Sequence, residues 1–166
     1  RSLFVDGEIA LMVGARRLVE EKEEYRAILA EHAGAAFEGM RVGPVLCAES
    51  YPDECWMFCN ASALAALQIQ DVLDGTDRRD FFRDWLEMAH RKLVDPRTGL
   101  LVSKFTLRGD VGDGPEGSSI WMTAYGLSFI NEAFARDQYD RARREIGRTL
   151  LGFGYAIEWP QSWPGP

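Results

Sequence analysis

Soft metal ligands are scarce in this chain of 166 residues, which has two histidines and three cysteines. Cys47, Cys55 and Cys59 fit no zinc template, because Cys55-x-x-x-Cys59 lacks a second Cys or His pair. Their odd number leaves at least one free thiol, and sequence alone leaves open a disulfide between two of them. His32 and His90 fall within amphipathic helical patterns and read as surface residues of outer helices rather than as ligands, so no metal centre is expected. Long apolar runs are also missing: Arg16, Arg17, Asp71 and Glu87 interrupt every stretch that approaches the ~20 residues a bilayer span needs. Positive charge is in deficit, with 19 Lys and Arg against 26 Asp and Glu and a net charge of -7. The bases are scattered among acids, which argues against nucleic acid as a partner and favours a small or neutral substrate. No signal-peptide pattern is present, although a start at Arg1 is compatible with one having been removed.

What is present is helical periodicity, and it comes in pairs. With 46% hydrophobic and 27% charged residues the chain can bury a sizeable core. The pattern predicts a first helix over about 3–19 and a second over about 23–37, separated by a charged turn. A third runs over about 59–73 and ends at Asp74-Gly75. A fourth starts at Thr76-Asp77 and continues through FFRDWLEMAHRKLV. A fifth, capped by Ser118 or Ser119, is expected through WMTAYGLSFINEAFA, and a sixth, capped by Asp137, through YDRARREIGRTLL.

First helices start near residues 3, 59 and 119, an internal period of roughly 55 to 60 residues. In each pair the first helix is rich in small and apolar residues and reads as an inner helix, while the second carries a charged face and reads as an outer one. Arg79, Arg83, Arg143 and Glu145 are accordingly expected on the surface. Connections from outer to inner helices are long and gather at the N-terminal ends of the inner helices, where loop residues carry function. The fold expected is all-α, an α/α toroid arc of three helical hairpins in one domain or part of one. A small β-hairpin is expected in the loop 100–117, where β-branched residues flank a Gly-Asp turn. A ring of six hairpins needs twice this number, so the chain reads as part of a longer enzyme. The tail 152–166 reads as a connection toward another hairpin.

The stretch SYPDECWMFCN, residues 50–60, enters the second inner helix on that functional face. A helix N-terminus favours negative charge, so Cys59 is expected to have a lowered pKa, with Asp53 six residues upstream and Trp56, Met57 and Phe58 as an apolar wall. Burial as a small apolar residue is the alternative for Cys59. Cys47 and Cys55 read as structural.

The run PDECWMFCNASALAALQIQDVLDGTDRRDFFRDWLEMAHRKLVDPRTG, followed by WMTAYGLSF, resembles the linalool dehydratase/isomerase family. That family shares the order Pro-Asp, Cys-Asn, Asp-x-Leu-x-Gly-Thr-Asp, Trp-Leu, Asp-Pro and Trp-x-x-Ala-Tyr. The likeness covers residues from about 4 to about 150. It implies an (α/α)6 toroid and acid–base chemistry without a cofactor on a monoterpenoid alcohol, by dehydration or hydroxyl migration. It also implies a ring-shaped homo-oligomer, and the chain is expected to be a soluble protein of bacterial type, of cytoplasm or periplasm. By resemblance Cys59 matches a catalytic cysteine and Tyr125 an active-site tyrosine, with Trp121 one turn before it and Asn60 beside the cysteine. Ser50 stands where the family has a second cysteine, Glu8 where it has a histidine, and Phe4 where it has a methionine. The family's first hairpin has no counterpart.

The candidate site is thus Cys59, Asp53, Glu8 and Tyr125 as catalytic residues. Phe4, Ser50, Trp56, Met57, Phe58, Asn60 and Trp121 would bind a small apolar alcohol or alkene. The departures at Glu8 and Ser50 shift the site toward carboxylates and keep open a sugar-active toroid, in which Asp6, Glu8, Asp53 and Asp110 would work with Trp56 and Trp121. Each acid also has a plain reading, as a helix-dipole residue (Asp6, Glu8) or a turn former (Asp53, Asp110, Asp113). A non-catalytic α/α scaffold is the third possibility.

Overall fold

The computed structural model describes residues 2–160, and among these six helices form three consecutive pairs. The first pair is α1 (Leu3–Val19) with α2 (Glu23–Val42), the second α3 (Met57–Asp74) with α4 (Arg79–Lys92), and the third α5 (Ile120–Leu127) with α6 (Glu132–Glu145). Alpha-helix α3 is the hub and packs against α1, α2 and α5. Its sequence MFCNASALAALQIQDVLD is small and apolar all round, and it is buried almost continuously from Met57 to Asp71. Helices α4 and α6 instead bury one stripe each, Phe82, Trp85, Met88 and Ala89 on α4 and Phe134, Ala135, Gln138 and Ala142 on α6. Arg79, Arg83 and Arg143 are exposed as expected, and Glu145 is half-buried.

Small residues let the first helices of the pairs approach closely and fix their direction. A Cβ added at Gly7 would lie 3.3 Å from Ala63 Cβ, and one added at Gly14 would lie 3.0 Å from Ile69 Cγ2. Moving forward along α1 therefore means moving forward along α3, so the two helices run parallel. A Cβ at Gly126 would lie 3.1 Å from the Ala61 carbonyl oxygen, which brings α5 against the other side of α3. Two buried serines tie the helix starts together. Ser50 accepts at its carbonyl from the Ser2 hydroxyl and at Oγ from the Trp56 amide (3.2 Å), joining the entrances of α1 and α3. Ser103 accepts at its carbonyl from the Met57 amide (2.9 Å) and contacts Ser119 through the hydroxyls (3.3 Å), joining α3 to α5. At the far end Arg17, its side chain fully buried, donates to Asp74 (2.7 Å) and to Glu21, locking α1 to the end of α3.

Strands qualify the all-α expectation. The expected hairpin in the loop 100–117 is present as β2 (Lys104–Phe105) and β3 (Val111–Asp113). It gains a third strand, β1 (Cys55–Trp56), in the antiparallel order β1-β2-β3 with Cys55 opposite Phe105. A second antiparallel pair, β4 (Gly147–Leu150) with β5 (Phe153–Ala156), replaces the end of the sixth helix and the start of the expected connecting tail. Residues 161–166 of that tail lie outside the described residues. The break between α5 and α6 falls at Phe129–Asn131 rather than at Asp137: α5 stops at Leu127, and the Asn131 side chain caps α6 by accepting from the Phe134 amide (2.9 Å). No helix among the described residues is long and apolar enough to cross a membrane.

Candidate active site

Register places the candidate residues in equivalent positions. Gly7, Ala61 and Ala124 each follow the first residue of α1, α3 and α5 by four positions, and Gly7 and Ala61 are the points where the neighbouring helix arrives. On the same count Phe4, Phe58 and Trp121 are equivalent, as are Glu8, Ser62 and Tyr125. The pairs Phe4/Glu8 and Trp121/Tyr125 each share one helix face at a spacing of four.

Cys59 lies in the first turn of α3, 5% exposed, with its carbonyl against Gly7 of α1. Electrostatically the Ser50 hydroxyl and the Glu8 carboxylate both act on its thiol. Burial pushes the Cys59 thiol up, the negative charge of Glu8 adds to that, and the Ser50 hydroxyl opposes both. The lowered pKa expected from the helix N-terminus is therefore overturned: desolvation in a nearly dry site outweighs the dipole, and Cys59 rests as a protonated thiol. Glu8 is half-buried, and its Oε1 is buried with no hydrogen-bond partner. Such an orphan acceptor is costly unless a ligand or a neighbouring donor serves it.

The other candidates separate from this pair. Asp53 sits at the exposed tip of the turn joining Tyr51 to Glu54, at a positive φ of 64°, and its amide donates to Glu49 (3.2 Å). Nothing among the described residues links it to Cys59. Asn60 uses its whole side chain on backbone: Oδ1 accepts from the Ala48 amide (3.1 Å), and Nδ2 donates to the Trp56 (2.9 Å) and Ala48 (3.3 Å) carbonyls. It is a latch holding the incoming loop onto α3 and has no group left for a substrate. Met57 is fully buried in the main core and Phe58 is half-buried. The Trp56 indole donates to Glu54 (2.9 Å) under the Lys104 ammonium, which pairs with Asp113 at 2.6 Å. Phe4 is exposed and rests against Tyr51, ring centroids 5.9 Å apart.

Trp121 and Tyr125 line a different place, an open groove of about 540 Å³ between α5 and α6. Its floor is Ala124 and Ala135 and its rim the Glu132–Arg136 ion pair. Tyr139, edge-on to Trp121 at 5.7 Å, completes the aromatic wall. Sequence reasoning missed Tyr139 because α6 reads as a charged outer helix, yet its spacing of four from Ala135 is the signal that puts it on the groove side.

Among the acids of the sugar reading, Asp6 is buried and joined to His32 of α2 at 2.7 Å. His32 is thus half-buried between helices rather than a surface residue, whereas His90 is exposed and packs on Phe134. Asp110 closes an exposed turn with Thr106. Several motif residues are structural too. Asp71 accepts from Thr76 and from the Arg78 amide to shape the turn into α4, and Asp95 accepts twice from Thr98. Trp85 is fully buried in the core. The three cysteines are all free and buried, and burial pushes Cys55 up to about 12. No group of three His, Cys, Asp or Glu among the described residues is placed to hold a metal ion. Comparison of the chain with family models and with curated proteins gives no match.

Proposed function

We propose that the chain carries the site of a cofactor-independent hydro-lyase or isomerase acting on a small apolar allylic alcohol, with Cys59 as acid and Glu8 as base. The observation that carries this reading is the buried, unpartnered Glu8 Oε1 on α1, whose charge acts on a protonated, buried thiol of the neighbouring parallel helix. Dehydration of such an alcohol needs a proton at the leaving hydroxyl and an acceptor for the proton lost from carbon, in a site poor in water. The Cys59 S–H protonates the hydroxyl, which leaves as water, and Glu8 takes the proton from the adjacent carbon as the alkene forms. Transfer from Glu8 back to Cys59 restores the site. Return of water at the other end of the allylic system moves the hydroxyl instead.

The resemblance to the linalool dehydratase/isomerase family supports a monoterpenoid substrate, an arc of an (α/α)6 toroid and a homo-oligomer as parts of the same proposal. The exposed apolar side chains Val5, Met12 and Val19 on α1 and Met122 and Tyr125 on α5 support continuation of the helix array on both flanks. Asp53 lies on an exposed turn and Tyr125 in the neighbouring groove, so the chemistry is assigned to Cys59 and Glu8 alone. The aromatic groove of Trp121, Tyr125 and Tyr139 favours the sugar-active alternative as a second reading, since the face of an aromatic ring suits a pyranose. Incubation of the protein with tertiary allylic monoterpenoid alcohols, and separately with oligosaccharides, distinguishes the two. Alkene or isomerised alcohol in the first set is the expected product; release of reducing sugar with no change in the alcohols would overturn the proposal.

A further inference from the structure

The β4–β5 hairpin carries its large apolar side chains where the fold has no use for them. Residues paired across an antiparallel ladder share a face, and the register sets Arg148 opposite Tyr155 and Leu150 opposite Phe153. Arg148, Leu150, Phe153 and Tyr155 therefore lie on one face, and the other holds only Gly147, Thr149, Gly154 and Ala156. A sheet face rich in large apolar residues is ordinarily packed on a core. Here Leu150 is 63% exposed, Phe153 78%, and Leu151 at the turn 90%. None of the three belongs to either core cluster of the described residues. The base of the hairpin, by contrast, is anchored. Ile146 and Ile157 pack in the smaller core with Ile120, the Ile157 amide donates to the Ile146 carbonyl (3.1 Å), and the Gly117 amide donates to the Glu158 carbonyl (2.7 Å). A fixed base thus holds out an apolar tip.

Charge at that base has the opposite sign to the chain as a whole, which carries -7. Arginines elsewhere, such as Arg79, Arg83, Arg136 and Arg141, sit in ion pairs. Arg143 and Arg144, exposed in the last turn of α6, have no ion-pair partner among the described residues. Arg148 commits its guanidinium to the carbonyls of Gly147 (2.8 Å), Glu145 (3.1 Å) and Arg144 (3.4 Å), so its charge is not neutralised either. The acids of the flanking segments are Glu145, which is half-buried, Asp140, exposed on α6, and Glu158, which accepts from the Ser118 hydroxyl (2.8 Å). From the tip inward the order is Leu151, then Leu150 with Phe153, then Tyr155 with Arg148, then Arg144 and Arg143. The Tyr155–Arg148 pair lies two residues, or about 7 Å, behind the Leu150–Phe153 pair. A bilayer presents the same order from its interior outward: acyl chains, an interface where tyrosine rings settle, then headgroup phosphates.

We infer that the β4–β5 hairpin is a docking element for an anionic lipid surface. Leu150, Leu151 and Phe153 enter the acyl boundary, Tyr155 rests at the interface, and Arg143, Arg144 and Arg148 meet the headgroups. The negative charge of the rest of the chain keeps its other faces off that surface and fixes the orientation. The inference stands apart from the proposed chemistry; for an apolar alcohol it brings the protein to the phase in which such a substrate collects.

The test is flotation of the protein with vesicles of phosphatidylcholine alone and of phosphatidylcholine mixed with phosphatidylglycerol. Binding to the mixed vesicles at low salt is expected, weakened by added salt and absent from the neutral vesicles. Leu151→Asn suits the positive φ of the turn and so keeps the hairpin, but should lower the partition coefficient about tenfold, as should Phe153→Ser. Arg143→Gln combined with Arg144→Gln should weaken binding about fivefold per charge removed and flatten the salt dependence. Wild-type protein that binds both vesicle types alike, or a Leu151→Asn protein that binds as the wild type does, overturns the inference. Wild-type protein that ignores vesicles overturns it too; if it then sediments as a dimer that Leu151→Asn dissociates, a second copy covers the tip instead. A second measurement reads the tip itself. The native thiols are buried, so a polarity-sensitive fluorophore can be placed on Leu151→Cys, and its emission should shift to the blue when mixed vesicles are added. An unmoved emission overturns the inference as well.

Discussion

Cys59 illustrates how two effects on one residue are decided by magnitude. A helix N-terminus contributes a fraction of a charge, about 0.3–1 kcal/mol at exposed positions, whereas removing a thiolate from water costs more. All three thiols are consequently pushed up by burial, Cys55 to about 12. A group whose folded pKa lies above its unfolded value holds its proton more tightly when folded. Its stabilisation is present below the unfolded thiol value of about 8.5 and is lost as pH rises toward the folded value. The urea midpoint should therefore fall as pH rises above about 8.5, and Cys55→Ala should flatten that fall; equal slopes in the two proteins would contradict the burial argument. Asn60 was legible as a neighbour of Cys59 but not in its task. A side-chain amide reads in sequence as a ligand contact or a structural clasp with equal ease, and only the carbonyls of Trp56 and Ala48 decide between them.

At the scale of elements, α1 could be bounded from sequence because its helical periodicity stops at the charged turn after Val19. The division between α5 and α6 was hidden because Phe129 and Ile130 continue an apolar helical pattern, while the real cap, Asn131 followed by Glu132, lies inside it. The β4–β5 hairpin was hidden for a different reason. Its turn residues Leu151 and Gly152 both adopt positive φ, 50° and 83°, as a two-residue hairpin turn requires, but leucine in place of asparagine removes the usual signal. Packing of the first helices of the pairs was legible in their small residues, and it makes a prediction. Gly126 faces the rigid backbone of α3 at Ala61, so Gly126→Val has nowhere to place its side chain and should cost about 1–3 kcal/mol in chemical denaturation. An unchanged midpoint would mean that α5 is not seated on α3 in solution.

Across the whole molecule the two serine nodes and the Arg17–Asp74 lock divide the labour. Ser50 and Ser103 gather the starts of α1, α3 and α5 at one end, where the loops and the small sheet also lie, and Arg17 with Asp74 closes α1 on α3 at the other. This gathering was legible as a period of helix starts; the separation of Cys59 and Glu8 from Trp121 and Tyr125 was not, because equivalent register on neighbouring helices does not say which groove each side chain enters. The central claim is that Glu8 and Cys59 are the proton-transfer pair, and one measurement bears on it most directly: the rate of alkene formation from a tertiary allylic monoterpenoid alcohol by Glu8→Gln beside the wild type. Positioned proton transfer contributes about 10²- to 10⁴-fold. The account predicts a loss of at least about 100-fold with the fold retained, since the substitution keeps the shape of the side chain while removing its charge and basicity. A Glu8→Gln rate within twofold of wild type would contradict it.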